Sequence, residues 1–409
     1  MRRVVITGMG VVSPVGATLQ QFFDTLLAGK SGIRLIQNID TSQLAIKIAA
    51  EIPDYQPRQH FSEKQLDLLD RFSQIAVVAA RSALSDAGLE ITEPDRDRLG
   101  VALGTAYGGC HTLDAGYHDI YAKQAVRVNP FTIPKLMHNA AASQVSMYIG
   151  AKGPAFSVTT ACASSTHSIG QAFHHIKLGM ADIMLAGGSD APITYGVMRC
   201  WEAMRVLATG QGDPAGACRP FSVDREGLVI GEGAGVLVLE ELERARRRGA
   251  AIYAEVAGYG ATSDAGHITH PTTEGPARAM RMALMETGVP IDRVDYINAH
   301  GTATKINDVI ETRAIKEVFG DRASQLAISS TKSMHGHVMG ASGAIELIAT
   351  VLALKRDVAP PTANYHAPDP ECDLNYVPNQ PQERPVHVAL SNSFAFGGLN
   401  AVVAVKKFG

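Results

Sequence analysis

The sequence predicts an α/β fold built from a duplicated α/β unit, and three observations carry that prediction. Short β-branched runs alternate with longer helix-period segments along all 409 residues. Matching segments recur in the same order in the earlier and later parts of the chain. Hydrophobic residues make up 46% and charged residues only 19%, below the ~25% charged usual in soluble domains. A large core and a sizeable subunit interface are expected from that balance.

The opening Met1-Arg2-Arg3-Val4-Val5-Ile6-Thr7 is basic and then apolar, but Gly8, Gly10 and Pro14 break it early. It reads as a strand over 3–7 and a turn rather than a secretion signal. Helix-period patterns follow at 19–28 and 65–87, then an apolar strand run at 99–103. A helix is predicted over 164–177 and strands over 183–186, 236–239 and 252–259. Helices at 275–287, 308–319 and 343–355 alternate with strands at 296–298 and 386–390. Pro and polar residues cluster only at 360–385, a surface excursion before the last strand.

The repeat follows this order. Val4-Val5-Ile6-Thr7-Gly8-Met9-Gly10 matches Ala254-Glu255-Val256-Ala257-Gly258-Tyr259-Gly260, and the segment 76–88 matches 277–288. Residues 98–105 then match 293–302, and 156–160 match 327–331. Length alone suggests two or three domains at about 150 residues each. The repeat replaces that with two fused halves, 1–250 with insertions and 251–409, forming one compact unit.

Charge and cysteine usage exclude several classes. Lys plus Arg is 37 and Asp plus Glu is 40, a net charge of −3, without the basic field that nucleic-acid or membrane-surface binding needs. Cys110, Cys162, Cys200, Cys218 and Cys372 are scattered and form no C-x-x-C, against a disulfide framework or structural zinc. No stretch reaches the ~18 uninterrupted apolar residues of a membrane span, so a cytoplasmic location is expected.

Four segments combine small residues with reactive ones. In Val158-Thr159-Thr160-Ala161-Cys162-Ala163-Ser164-Ser165-Thr166 a strand runs into a helix with Cys162 at the turn. The amides and dipole of a helix start favour a thiolate and are expected to lower the Cys162 pKa. Ile297-Asn298-Ala299-His300-Gly301-Thr302-Ala303-Thr304 puts His300 at a strand end. Ser330-Thr331-Lys332-Ser333-Met334-His335-Gly336-His337 leads into the helix carrying Glu346. Ser391-Asn392-Ser393-Phe394-Ala395-Phe396-Gly397-Gly398-Leu399-Asn400 reads as a flexible aromatic loop.

In this order the four segments resemble the β-ketoacyl-acyl carrier protein synthases of the thiolase superfamily. The likeness is to type II elongating enzymes, with features of nodulation and polyketide ketosynthases. It spans essentially the whole chain, including Cys218-Arg219-Pro220-Phe221-Ser222 and Gly231-Glu232-Gly233-Ala234-Gly235. The resemblance implies a five-layered α-β-α-β-α core and an acyltransferase that performs decarboxylative condensation. Cys162 would hold the acyl chain, while malonyl-acyl carrier protein loses carbon dioxide and extends it by two carbons. His300 and His337 match the histidines that contact the malonyl thioester. Lys332 matches an orienting lysine, and Glu346 its supporting acid. The N–H groups of Cys162 and Phe396 would form the oxyanion hole, with Phe396 also a gate. Thr302 and Thr304 match phosphopantetheine contacts.

Further residues carry the finer expectations. Tyr107, Trp201 and Phe396 are candidates for the acyl pocket, and Lys64, Arg127 and Arg205 for carrier-protein docking. Ala395, Leu399, His335 and Lys305-Ile306-Asn307-Asp308 depart from the housekeeping pattern. The Lys305–Asp308 segment, Tyr107, Trp201 and a thin basic rim favour a specialised polyketide or polyene pathway slightly over membrane fatty acids, while Ala395 and Leu399 bear on the mobility of the gate loop. The resemblance implies no metal or cofactor of the protein's own. It implies acyl carrier protein as partner and a homodimer, or a heterodimer with a related chain. The alternatives are a non-catalytic chain-length subunit, which would lack the nucleophile, and a thiolase, whose second cysteine context Cys372 does not provide. Gly29-Lys30-Ser31 lacks the earlier glycine of a phosphate loop, since Asp24 stands there.

Overall fold

A computed structural model describes all 409 residues. Apart from two short two-stranded ribbons, its strands, in chain order, are β1 (Val4–Val12), β2 (Leu99–Gly104), β3 (Ala155–Val158), β4 (Ile183–Asp190) and β5 (Gly233–Glu241). The second set is β6 (Ala254–Ser263), β7 (Tyr296–Asn298), β8 (Ala327–Ser329), β9 (Val388–Ala395) and β10 (Leu399–Lys406). They form one ten-stranded sheet in the order β8-β7-β9-β10-β6-β1-β5-β4-β2-β3. Numbered within its own half, each set runs third-second-fourth-fifth-first. Antiparallel pairing of Val4–Ile6 with Ala254–Val256 joins the halves.

The principal helices are α1 (Arg71–Asp86), α2 (Cys110–Tyr121), α3 (Ser164–Lys177), α4 (Tyr195–Met204), α5 (Glu274–Thr287), α6 (Lys305–Phe319) and α7 (Ser342–Arg356). Helices α3 and α7 pack against strands of both halves and form the central layer. On the outer faces, α1 covers β1 and β5, while α5 covers β6 and β10. Three apolar clusters fill the spaces between layers. The central helix α7 is buried on every side from Ser342 to Leu354, as a helix packed against both halves of the sheet must be.

Close helix–strand approach explains the repeated Gly-x-Gly. A Cβ on Gly8 or Gly10 would run into the carbonyl oxygens of Ala83 and Ala79 on α1. Gly258 and Gly260 meet Ala283 and Ala279 on α5 in the same way.

Three expectations are corrected. The helix expected over 65–87 is broken, with Glu63–Leu66 ending before α1. Asp70 caps α1 by accepting from Phe72 N and also accepts from the Thr112 N–H and hydroxyl. The segment expected as a flexible loop over 391–400 is instead a hairpin, with only Phe396–Gly398 outside the strands β9 and β10. Its polar residues face inward, and Asn392 donates to the Glu311 carboxylate at 3.1 Å. The strand expected over 3–7 and then a turn runs on through Gly8 and Gly10 to Val12, and helices α2 and α4 have no counterpart among the predicted elements.

Candidate active site

Cys162 lies between β3 and α3, and the preceding Ala161 has φ +48°, a sharp turn outside ordinary strand or helix geometry. Ser164 stitches this turn: its hydroxyl donates to Ala161 O at 2.7 Å and accepts from Thr160 N–H at 2.9 Å. Cys162 is 7% exposed. Burial pushes the thiol up to about 11, opposed by the Lys332 charge and by hydrogen bonds from the Phe396 and Cys162 N–H groups. The expected lowering by the helix start is therefore overturned: desolvation outweighs it.

His337 Nε2 lies 3.0 Å from Cys162 Sγ, and its Nδ1 is 2.9 Å from Ser342 Oγ at the start of α7. The His300 ring stands at 83° to that of His337, with centroids 5.5 Å apart. His300 follows β7, and its backbone N–H donates to Glu311 on α6 at 2.8 Å. Its Nδ1 is buried without a partner. Burial first, then the Lys332 charge, holds both imidazoles well below their ordinary range. Both are therefore neutral near pH 7.

Lys332 is fully buried, ion-paired with the equally buried Glu346, and donates to His300 O at 2.6 Å. A cavity of about 550 Å³ is lined by Cys162, His300, His337, Thr302, Thr304 and Phe396, with Trp201 and Arg205 also on its wall. The Thr302 and Thr304 hydroxyls lie 2.9 Å apart. Tyr107 lines an adjoining cavity that shares Trp201 and Phe396. Its hydroxyl accepts from Trp201 Nε1 at 2.7 Å, and the Trp201 ring lies 6.1 Å from that of Phe396. Lys64 and Arg127 are exposed and line neither cavity. Cys372 sits in an outer apolar cluster with Tyr376 and Phe221.

Several positioning residues escaped sequence reasoning. Glu311 accepts from the His300 and Gly301 amides, and Asp190 accepts from Ala106, Tyr107 and Gly340 N–H. Ser342 orients His337. A signal existed for Glu311: with Asp308 it forms an i, i+3 acidic pair, and both residues sit buried on α6.

A buried thiol beside two neutral imidazoles, with backbone N–H groups aimed at its sulfur, defines a thiol acyltransferase of the condensing type. The chain belongs to the β-ketoacyl synthase family. The family's "Beta-ketoacyl synthase, N-terminal domain" model matches residues 1–245, and its "C-terminal domain" model matches 253–366. It is 48% identical over 406 residues to Nodulation protein E of Rhizobium sp. (strain N33), covering 99% of each chain. It is 46% identical over 409 residues to 3-oxoacyl-[acyl-carrier-protein] synthase 2 of Staphylococcus aureus (strain COL), covering 100% of this chain and 99% of the relative. Among solved structures, the ishigamide ketosynthase/chain length factor superposes with a TM-score of 0.94 at 38% identity, covering 100% of both chains. A type II polyketide synthase acyl-carrier protein in complex with its ketosynthase contains a second similar chain, with a TM-score of 0.91, 35% identity and 100% coverage of both. The chain is thus a β-ketoacyl synthase, a condensing acyltransferase. No helix is long and apolar enough to cross a membrane.

Proposed function

We propose that the protein condenses malonyl-acyl carrier protein with an acyl chain carried as a thioester on Cys162, releasing carbon dioxide and adding two carbons. The observation that carries this reading is the 3.0 Å approach of His337 Nε2 to Cys162 Sγ inside a cavity that also holds His300. In loading, the sulfur attacks the carrier thioester. The thiol proton passes to His337 Nε2 and then to the departing phosphopantetheine sulfur. The N–H groups of Cys162 and Phe396 face the sulfur and receive the oxyanion of the tetrahedral intermediate.

In the second half-reaction the malonyl thioester carbonyl sits between the imidazoles. Their N–H groups take up the charge that gathers on its oxygen as carbon dioxide leaves. The resulting carbanion attacks the acyl-enzyme carbonyl and returns Cys162 as the leaving group. Ser342 suits both stages, because a hydroxyl can accept from or donate to His337 Nδ1 and so supports either tautomer. Lys332, balanced by Glu346, fixes the His300 carbonyl. Thr302 and Thr304 hold the phosphopantetheine arm, and Tyr107, Trp201 and Phe396 bound the acyl tail. The substrates bring phosphopantetheine, and we assign no cofactor of the protein's own.

Arg205 at the cavity mouth, with Lys64 and Arg127 on the surface, is assigned to docking an acidic carrier protein. Helix α2 buries only Cys110, and the following segment exposes Val126, Val128, Phe131, Ile133 and Met137. This face supports a dimer, either with itself or with a related chain. We read the functional halves as 1–250, carrying Cys162, and 251–409, carrying His300 and His337, and the location as cytoplasmic. A specialised polyketide or polyene pathway is preferred because Tyr107 and Trp201 reshape the tail pocket. A chain-length subunit without its own chemistry is disfavoured by the retained Cys162, His300 and His337.

Intact-protein mass spectrometry with acyl-carrier protein is the test. Wild type gains the acyl mass and releases carbon dioxide from malonyl-carrier protein, and Cys162→Ala gains no acyl mass. If wild type does neither, alone or with a candidate partner subunit, the reading fails.

A further inference from the structure

One ligand atom from each of Cys162, His300 and His337 lies within 4.8 Å of the other two. A tetrahedral zinc site, with Zn–S near 2.3 Å and Zn–N near 2.0 Å, needs ligand edges of about 3.3–3.6 Å. The Cys162–His337 edge is 3.0 Å. The His300 ring makes no hydrogen bond within the protein, and its Nδ1 is buried without a partner although the residue is only 2% exposed. Closure requires that ring, packed edge-on against His337 and Phe394, to shift by an ångström or so. His337 already has its other nitrogen on Ser342, the outer contact that aims a metal-binding imidazole. The Lys332 charge that lowers both imidazoles also opposes a cation here, and Glu346 offsets it only in part through their buried pair.

We infer that Cys162, His300 and His337 form a binding site for Zn²⁺ or a similarly soft divalent ion, and that its occupancy reversibly blocks acyl loading. One sulfur and two nitrogens select zinc over magnesium or calcium, which favour oxygen ligands. On binding, the Cys162 S–H bond breaks, its proton leaves to solvent and an S–Zn bond forms. No electrons are transferred. The fourth position opens on the cavity and takes water. Metal and acyl group need the same sulfur, so each excludes the other: a thioester sulfur has no charge to offer a metal. The site would then act as a brake set by available zinc, holding the unloaded thiol out of reach of oxidants and alkylating agents.

Cobalt(II) titration of the full-length, chelator-stripped protein tests this without using the condensation reaction. One equivalent per chain is expected to give a thiolate-to-cobalt charge-transfer band that Zn²⁺ displaces. Saturating Zn²⁺ should slow iodoacetamide alkylation of Cys162 at least about tenfold. Cys162→Ser, nearly isosteric, should lose the band. His300→Asn should weaken zinc at least about tenfold, the usual cost of disturbing a metal shell. Protein first alkylated at Cys162 should give no band, which controls for any variant that folds poorly. Absence of the band in wild type overturns the inference. So does zinc uptake unchanged in Cys162→Ser but abolished in His270→Gln. That result would put the metal on the exposed His267–His270 pair, whose Nδ1 atoms lie 2.9 Å apart at the cavity mouth.

Discussion

At the scale of single residues, the site trades reactivity at rest for control. Burial is the largest influence on Cys162, and it raises the thiol. Below about pH 11 the thiolate fraction therefore rises about tenfold per pH unit. Alkylation of Cys162 by iodoacetamide should climb with unit slope from about pH 7 to 10. A plateau below about pH 8 would mean that the thiolate already exists at neutral pH. Lys332 and Glu346 form a second coupled unit, both fully buried. Lys332→Met leaves the carboxylate unpaired in the core and should cost about 3–5 kcal/mol. Lys332→Met combined with Glu346→Leu should cost much less, a non-additivity that urea unfolding would measure.

At the scale of elements, legibility followed periodicity and failed where tertiary contacts decide. Helix α3 was predicted with the bounds observed, because its apolar spacing and its start beside Cys162 are local facts. The break before α1 was not, because Asp70 acts as a cap while also bonding the distant Thr112. The strand through Ser391, Asn392 and Ser393 was hidden by its polar sequence, whose partners come from other layers. The cysteine, the histidines and the lysine of the site were visible because reactive residues stand among small ones. Asp190 is brought to the site by folding alone, whereas the Asp308–Glu311 spacing and the closeness of Ser342 to His337 are local signals that carry no chemistry until the partners are known. The Gly-x-Gly approach gives an element-level prediction. Gly260→Ala should push β6 off α5 and destabilise the fold by about 1–3 kcal/mol. Gly88→Ala meets no neighbouring atom and should cost only about the 1 kcal/mol of its positive φ. Thermal unfolding of the two variants separates close contact from backbone strain.

At the scale of the whole molecule, both halves run their strands in one spatial order, and the groups proposed to carry the chemistry are divided between them. The third strand of the first half leads to Cys162. The second and third strands of the other lead to His300 and to Lys332 with His337. Between the halves the chain crosses at Gly249, an exposed position with open space around it. Cut there, the protein becomes two polypeptides, one holding the nucleophile and the other the imidazoles. Neither should decarboxylate or condense alone, whereas co-expression should restore activity as the central layer reassembles. Condensation then becomes a direct assay for fragment complementation. Purified fragments that show activity separately would mean that the chemistry does not need both halves.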